Sequence, residues 1–409
     1  MSRSSKSSLR SLLRSTPFQL LLCILFASLF GKMLPHALVR GAYTLSLFFI
    51  DCVLFLLPIM IFAYMFNALI VAEEKGPVLV FSLLGLICIS NAVALCFAYS
   101  VGSVIIPHLS MHVGITEVAS SVQPYFYMPF KHGIRSDYVA LSAFVIAFFC
   151  VKAKGKIHAT GAIIASIHKL QSAIATFLKK AFLPILPLYV LGFMLKMSSE
   201  DKLTFLYTEY LHIFGLNLVV SFCYILALYK IASIGYKPMR KIIFDMLPAG
   251  ITGFSTMSSA ITMPVTLECA EKNVQHPALA RMVVPTASNM HMLGDDVTIT
   301  LTALTLIMVS GAPLPSFIDF LPYVAAFCVA KLACVGIAGA SLLVVLPVLQ
   351  EHLGFSSEMV SLMTTLYALH DPFGTFHNVM GNGAFSLLVE KIFKKLRLVG
   401  ARATKQKLK

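Results

Sequence analysis

The hydrophobic and polar positions of this chain form long apolar runs that are separated by short polar stretches. A helix that crosses a membrane needs about 20 predominantly apolar residues. Runs of this kind predict helices over residues 17–36, 41–72, 76–106, 138–152, 181–198 and 203–232. The proline-containing loop of residues 107–137 is expected to be exposed or draped over the protein. Residues 153–180 combine apolar positions at helical spacing with lysines, which favours a helix along the cytoplasmic interface.

Two apolar segments of the second half are interrupted by small or helix-breaking residues. Residues 240–276 contain "AGITGFSTMSSAITMPV", residues 316–356 contain "CVGIAGASLL", and each segment precedes a long helix expected over 280–311 or 357–395. Interrupted backbone at membrane depth is tolerated only where it is buried or lines a wet cavity, and paired interruptions indicate a transporter's binding site. Close helix packing at Gly, Ser and Thr is the alternative. Because the pattern occurs twice, we favour a binding site.

Composition and charge support a polytopic membrane protein. Hydrophobic residues make up 58% of the 409 residues, charged residues only 12%, and the mean hydropathy is +0.85, which excludes a water-soluble domain. The net charge of +14 comes largely from basic residues in the two tails, which indicates cytoplasmic termini and an even number of crossings rather than a nucleic-acid partner. We expect an uncleaved first helix. The nine cysteines have no metal-ligand spacing and are interpreted as packing residues.

The segment "LHDPFGTFHNVMGNGAFSLLV", residues 369–389, places polar residues inside a predicted membrane helix. Helical spacing puts Asp371, Thr375 and Asn378 on one face, where the carboxylate could hold an ammonium group. A structural cap before Pro372 is the alternative for Asp371. His377 lies off this polar stripe and is interpreted as a packing residue.

Short polar residues at the first interruption favour an anion. Ser258, Ser259 and Thr262 would expose hydroxyl and backbone N–H groups at a re-entrant tip. Half-helix ends of this kind are suited to binding a substrate carboxylate.

These motifs resemble those of the dicarboxylate/amino acid:cation symporter family, which includes glutamate/aspartate and neutral amino acid transporters. "MSSAITMPVTLECAEKN" is similar to the family's serine-rich tip and the sequence that follows it. "DPFGTFHNVMG" is similar to the last-helix signature D-x-x-R-T-x-x-N-V-x-G-D and matches it at five positions, Asp371, Thr375, Asn378, Val379 and Gly381. "GIAGA" at 336–340 resembles the tip of the second hairpin and implies a substrate-binding role for Gly339. The resemblance covers residues 240–395.

The resemblance implies an all-α polytopic membrane protein of the elevator type. It has about eight transmembrane helices, two re-entrant helical hairpins and inverted repeats, and forms a homotrimer. Scaffold helices would occupy 1–75 and 138–200, with an exposed loop at 107–137. The transport domain would comprise helix 3 at 76–106 and residues 201–395, before a basic tail at 396–409. We expect a plasma membrane location, the bacterial inner membrane, and contact with membrane lipid.

Several positions depart from the family pattern where it binds cations. With Pro285 on the family's proline, "HMLGD" at 291–295 replaces N-M-D-G-T, so that His291 and Leu293 stand at cation-binding positions and an acid appears at Asp295. The alternative is an alignment that matches "NM" at 289–290 to the first two residues of the family motif. The family's second cation aspartate becomes Asn382. The candidate cation-coupling residues are Asn378, Asn382, Ser90, Asn91, His291 and Asp295, with helix packing as the alternative for Ser90 and Asn91.

Function is predicted as cation-coupled symport of an amino acid or a related carboxylate, with a substrate that carries a carboxylate and an amine. No cofactor is expected beyond a coupling ion, sodium or a proton, and protons are expected to replace some sodium ions at His291 and Asp295. Gly374 replaces the Arg that would hold a second carboxylate and leaves room for an apolar side chain, which favours a neutral amino acid.

Three alternatives remain open at this point. One is glutamate or dicarboxylate transport that uses a cationic residue from another element. The second is an intramembrane enzyme built on His291, Asp295 and Asp296. The third is a member of the family that has kept the fold and lost coupled transport.

Overall fold

The computed structural model describes residues 16–74, 77–109, 122–127, 136–153, 158–177, 180–181, 183–200, 203–334 and 339–396. The predicted tails at 1–15 and 397–409, most of the loop at 107–137 and the glycine-rich tip at 336–338 lie outside these residues. The described residues are helical, without strands, as the apolar pattern predicts.

The described α-helices are numbered in chain order. They are α1 Thr16–Phe30, α2 His36–Glu74, α3 Pro77–Ile105, α4 Ser136–Ala153, α5 His158–Phe177, α6 Leu183–Ser199, α7 Leu203–Ser233, α8 Met239–Thr256, α9 Ser259–Glu271, α10 Pro277–Met290, α11 Leu293–Val309, α12 Phe317–Lys331, α13 Ala340–Leu353 and α14 Ser357–Lys395. Three described helical stretches are long and apolar enough to cross a membrane: Phe81–His108, Leu211–Ser233 and Pro277–Val309. Most of the predicted helix ends agree with these bounds to within a few residues.

Two predicted helices have the wrong bounds. The first was expected to reach residue 36, but α1 ends at Phe30 and the backbone is extended at Leu34, because the residue before Pro35 is disfavoured in helical conformation. The helix expected over 280–311 is broken into α10 and α11. At the break, His291 has φ −105° and ψ 88°, and Met292 has φ −122° and ψ 68°.

Both interrupted segments form helix pairs, α8 with α9 and α12 with α13. The first pair turns at Met257, which has a left-handed φ of 50°, and Ser258 then caps α9 by accepting a hydrogen bond from Ile261 N. Gly339, with φ 75°, precedes α13. A left-handed backbone costs glycine little, whereas at Met257 it is strained.

The helices pack in two groups. One group contains α1, α2, α4, α5 and α6, which pack mainly on α2 and α6. In the other, α14 is surrounded by α7, α8, α9, α10 and α11, while α3 packs on α11 and α12. The polar residues of α14 are therefore buried among the interrupted helices.

Candidate functional site

Asp371 is the first residue of the polar stripe of α14 and is buried. It is in the middle of a 39-residue helix, so the alternative of a cap at a helix start is wrong. Its Oδ2 accepts a hydrogen bond from the Gly339 N–H over 3.2 Å, and its Oδ1 accepts one from the Thr375 hydroxyl over 3.4 Å. The structure thus joins three predicted substrate-binding residues, two from α14 and one from the start of α13.

The first interrupted segment contacts the same stripe from another side. A Cβ built on Gly253 of α8 would lie 3.3 Å from the Thr375 carbonyl oxygen and 3.5 Å from its methyl group. At the tip, the hydroxyl of Thr262 donates to the Ser258 carbonyl over 2.9 Å and lies 2.9 Å from the Thr256 hydroxyl. Ser258, Ser259 and Thr262 are all buried, and the hydroxyls of Ser258 and Thr262 form hydrogen bonds within the tip.

The break between α10 and α11 places His291 between two other predicted residues. Its Nδ1 lies 2.8 Å from Oδ1 of Asn382, and its Nε2 lies 2.9 Å from the Ser90 hydroxyl. The imidazole is fully buried and stacks on Phe385 with ring centroids 4.0 Å apart. Asn91 donates to the Met290 carbonyl over 2.9 Å, next to the break. Four of the six residues predicted to couple a cation therefore lie together at the break: Ser90, Asn91, His291 and Asn382.

Asp295 connects this region to the substrate candidates, because its backbone N–H donates to Oδ1 of Asn378 over 3.2 Å. It does not join a metal-binding set: the described residues contain no group of three or more His, Cys, Asp or Glu side chains that could hold a metal ion. Backbone, amide and hydroxyl oxygens remain as possible ligands for a monovalent cation.

A buried ion pair beside Asp295 was missed in the sequence. Lys331, at the end of α12, is fully buried, and its Nζ lies 3.2 Å from Asp296 Oδ1 and 3.9 Å from Asp295 Oδ2. The same ammonium donates to the hydroxyl of Ser341 in α13. A lysine inside the apolar run "FCVAKLAC" was the available signal, because a charge at such a position needs a partner.

The expectation that Gly374 leaves room for an apolar side chain is wrong. A Cβ built on Gly374 would lie 2.8 Å from Asp295 Oδ1, so the carboxylate occupies that space. The neighbouring Phe373 and Phe376 line an apolar cleft of about 550 Å³ together with His377 and residues of α7 and α8. His377 is buried there as a packing residue, in agreement with its interpretation from the sequence.

Comparison with known proteins gives one family and several partial relatives. The model of the sodium:dicarboxylate symporter family matches residues 17–392. A serine/threonine transporter of Acinetobacter baumannii is 34% identical over 114 residues, which are 27% of each chain. Excitatory amino acid transporter 3 of Mus musculus is 30% identical over 151 residues, 37% of this chain and 28% of that protein. A serine/threonine transporter of Acinetobacter baylyi is 29% identical over 150 residues, 36% and 37% of the two chains. The aligned part thus spans between about a quarter and two fifths of the relatives' length.

Proposed function

Because this chain belongs to the sodium:dicarboxylate symporter family, we propose that it carries an amino acid across the membrane together with a cation. The family consists of symporters and the relatives are named as transporters, which confirms the expectation of a transporter over an enzyme. The residues of the enzyme alternative also have other partners. His291 is bonded to Asn382 and Ser90, and Asp296 is paired with Lys331.

The observation that carries the proposal is the position of Asp371 between Thr375 and the Gly339 N–H. The carboxylate is buried on the polar stripe and offers two oxygens to a substrate ammonium group. The start of α9, with Ser258 and Ser259, supplies backbone N–H groups and a positive helix end for the substrate's carboxylate. Asn378 and Thr262 complete the proposed substrate site.

A neutral amino acid fits this site better than glutamate or a dicarboxylate. Gly374 provides no cation, and the space beside it holds the carboxylate of Asp295. Glutamate or dicarboxylate transport would require a cationic residue from another element. Lys331 is such a residue, but its ammonium already contacts the carboxylates of Asp295 and Asp296. A second substrate carboxylate would therefore enter a cluster whose formal charge is negative, and an unpaired buried charge costs several kcal/mol. The relatives include serine/threonine transporters and an excitatory amino acid transporter, so the preference rests on the charges at the site.

We assign coupling to sodium, a proton or both, through His291, Asn382, Asn378, Ser90, Asn91 and Asp295. The two packing groups support a division into a scaffold of residues 1–75 and 138–200 and a transport domain of 76–106 and 201–395. In the proposed mechanism the transport domain moves past the scaffold like an elevator. On this proposal the protein is a homotrimer in the bacterial inner membrane, with about eight spanning helices, two re-entrant hairpins and both termini in the cytoplasm.

Reconstituted uptake tests the proposal. Purified protein in proteoliposomes should accumulate a labelled neutral amino acid above equilibrium when an inward sodium or proton gradient is imposed, each gradient being applied separately. Accumulation should disappear when an ionophore collapses the gradient. Equilibration without accumulation under either gradient would indicate a member that has kept the fold and lost coupling.

A further inference from the structure

One carboxylate oxygen near the proposed substrate site has no hydrogen-bond donor among the described residues. This oxygen is Oδ1 of Asp295, a residue that is only 2% exposed. It points towards Gly374, where a Cβ would lie 2.8 Å away. Gly374 is next to Thr375 and three residues from Asp371, which places Asp295 beside the polar stripe of α14. A buried carboxylate oxygen without a donor is costly, so its surroundings should supply one.

Lys331 does not supply that donor. Its Nζ is closer to Asp296, at 3.2 Å, and reaches Asp295 only at Oδ2, at 3.9 Å. The ammonium also donates to Ser341, and none of these contacts is with Oδ1 of Asp295. Formally, Asp295, Asp296 and Lys331 carry one excess negative charge. Apart from the ion pair with Lys331, both carboxylate oxygens of Asp296 also lack a hydrogen-bond partner among the described residues. Oδ1 of Asp295 differs from them because it faces Gly374 on α14, next to the proposed substrate site.

We propose that Asp295 is a specificity-determining residue, whose free Oδ1 accepts a hydrogen bond from a hydroxyl group on the side chain of the transported amino acid. This inference rests on the proposed transport of a neutral amino acid. A substrate carboxylate at this position would meet Asp295 with the same charge. A cationic side chain would be attracted by the excess negative charge, so lysine is the competing substrate that the test must distinguish from a hydroxyl amino acid. A hydroxyl group donates to Oδ1 without changing the charge of the site, as the proposed neutral substrate requires.

Pairs of amino acids that differ only in the hydroxyl group provide the direct test. Threonine and valine have the same shape, and serine exceeds alanine by one oxygen. In proteoliposomes that contain the native protein, threonine should inhibit uptake of labelled serine at a concentration at least about tenfold lower than valine, because a site that binds a hydroxyl rejects the analogue without one. Lysine and aspartate should inhibit less than threonine. Equal inhibition by threonine and valine would overturn the proposal, as would a preference for lysine.

Substitution of Asp295 tests whether the preference for threonine over valine depends on this residue. Asp295→Asn keeps an acceptor but removes the charge, and hydrogen bonds to charged groups are the stronger ones. The ratio of the inhibitory concentration of valine to that of threonine should therefore fall several-fold. Asp319→Asn is the matched control, because Asp319 is exposed at the start of α12. Its Oδ2 accepts a hydrogen bond from the Ser316 hydroxyl, and its backbone N–H donates one to the same hydroxyl. A ratio that is unchanged in Asp295→Asn, with only the ion dependence altered, would leave Asp295 with its proposed coupling role alone and overturn its role in substrate specificity.

A binding measurement separates this inference from the proposed function. Threonine should raise the melting temperature of the purified protein in detergent at concentrations where valine does not, because a ligand that binds only the folded state stabilises it. This shift together with failed accumulation would contradict coupled transport and support the role of Asp295. Gradient-driven accumulation with equal preference for threonine and valine would support coupled transport and contradict the role of Asp295. If Asp295→Asn does not fold, the comparison of threonine with valine in the native protein decides alone.

Discussion

The backbone N–H of Gly339 donates a hydrogen bond to Oδ2 of Asp371 over 3.2 Å. This bond joins the start of α13 to the middle of α14, and it places a carboxylate at the positive end of a helix. A substrate ammonium group that binds Asp371 would therefore contact the same carboxylate that holds the hairpin. Substrate binding and the position of the α12–α13 hairpin should be linked through this residue.

Asp371→Asn is expected to abolish uptake, because an ammonium group loses its negative partner in a buried site. Removing one member of a buried charged pair costs about 2–5 kcal/mol, which corresponds to a loss of affinity of roughly 30-fold to several thousand-fold. Uptake of labelled substrate in proteoliposomes measures the loss. Expression and oligomeric state should be unchanged, as checked by gel filtration, and Asp319→Asn serves as the control. Normal uptake by Asp371→Asn would eliminate the proposed amine site.

Lys331→Met is expected to destabilise the protein strongly, because Asp296 would be left buried without its counterion. The expected loss is about 3–5 kcal/mol, and Lys331→Met combined with Asp296→Leu should recover most of it. Thermal unfolding in detergent provides the measurement.

Lys272→Met is the matched control for this ion pair. Its hydrogen bond to Glu268 raises the pKa of the Lys272 ammonium, but the pair is exposed and screened by water, so no measurable change in melting temperature is expected. Equal changes in melting temperature in Lys272→Met and Lys331→Met would contradict a stabilising ion pair between Lys331 and Asp296.

Gly294→Ala should impair the contact between α11 and α14. A Cβ at this position would collide with the Gly374 carbonyl oxygen and lie 2.7 Å from the Cβ of His377, and backbone atoms cannot move aside easily. Overpacking of this kind costs about 1–3 kcal/mol. Gly85→Ala in α3 is the control, because a Cβ there meets nothing within 4 Å. If both variants unfold at the temperature of the native protein, the described approach of the two helices is wrong.

Coupling is expected to involve protons through His291. Its ring nitrogens face Ser90 and Asn382, its ring stacks on Phe385, and histidine is the side chain that most readily exchanges a proton near neutral pH. An inward proton gradient should stimulate uptake by the native protein, and His291→Asn should remove this stimulation. Uptake that depends steeply on sodium and is insensitive to a pH gradient would refute the prediction.

Local patterns in the sequence were sufficient to predict most of the helices, the two interrupted segments and the common helix of Asp371, Thr375 and Asn378. Apolar periodicity and small residues at the interruptions are local signals, which explains this success. The break at His291 was missed because neither glycine nor proline occurs at positions 291–292. The pairing of Lys331 with Asp296 could not be predicted, because these residues are brought together only by tertiary packing of α12 against α11.

The surroundings of Gly374 in the candidate site also could not be predicted from the sequence. A glycine in a sequence indicates missing side-chain volume, but it does not indicate which neighbour fills that volume. In the folded chain the neighbour is Asp295, which turns an expected apolar space into an acidic one. The preference for a neutral substrate follows from both interpretations, whereas the expected character of its side chain changes from apolar to polar.

The most direct test of cation-coupled transport of a neutral amino acid is competition in proteoliposomes under an imposed ion gradient. Gradient-driven accumulation of a labelled neutral amino acid should be inhibited by unlabelled neutral amino acids at micromolar concentration, while glutamate, aspartate and succinate should inhibit only at concentrations orders of magnitude higher. Inhibition by glutamate, aspartate or succinate at micromolar concentration, without inhibition by neutral amino acids, would contradict this account.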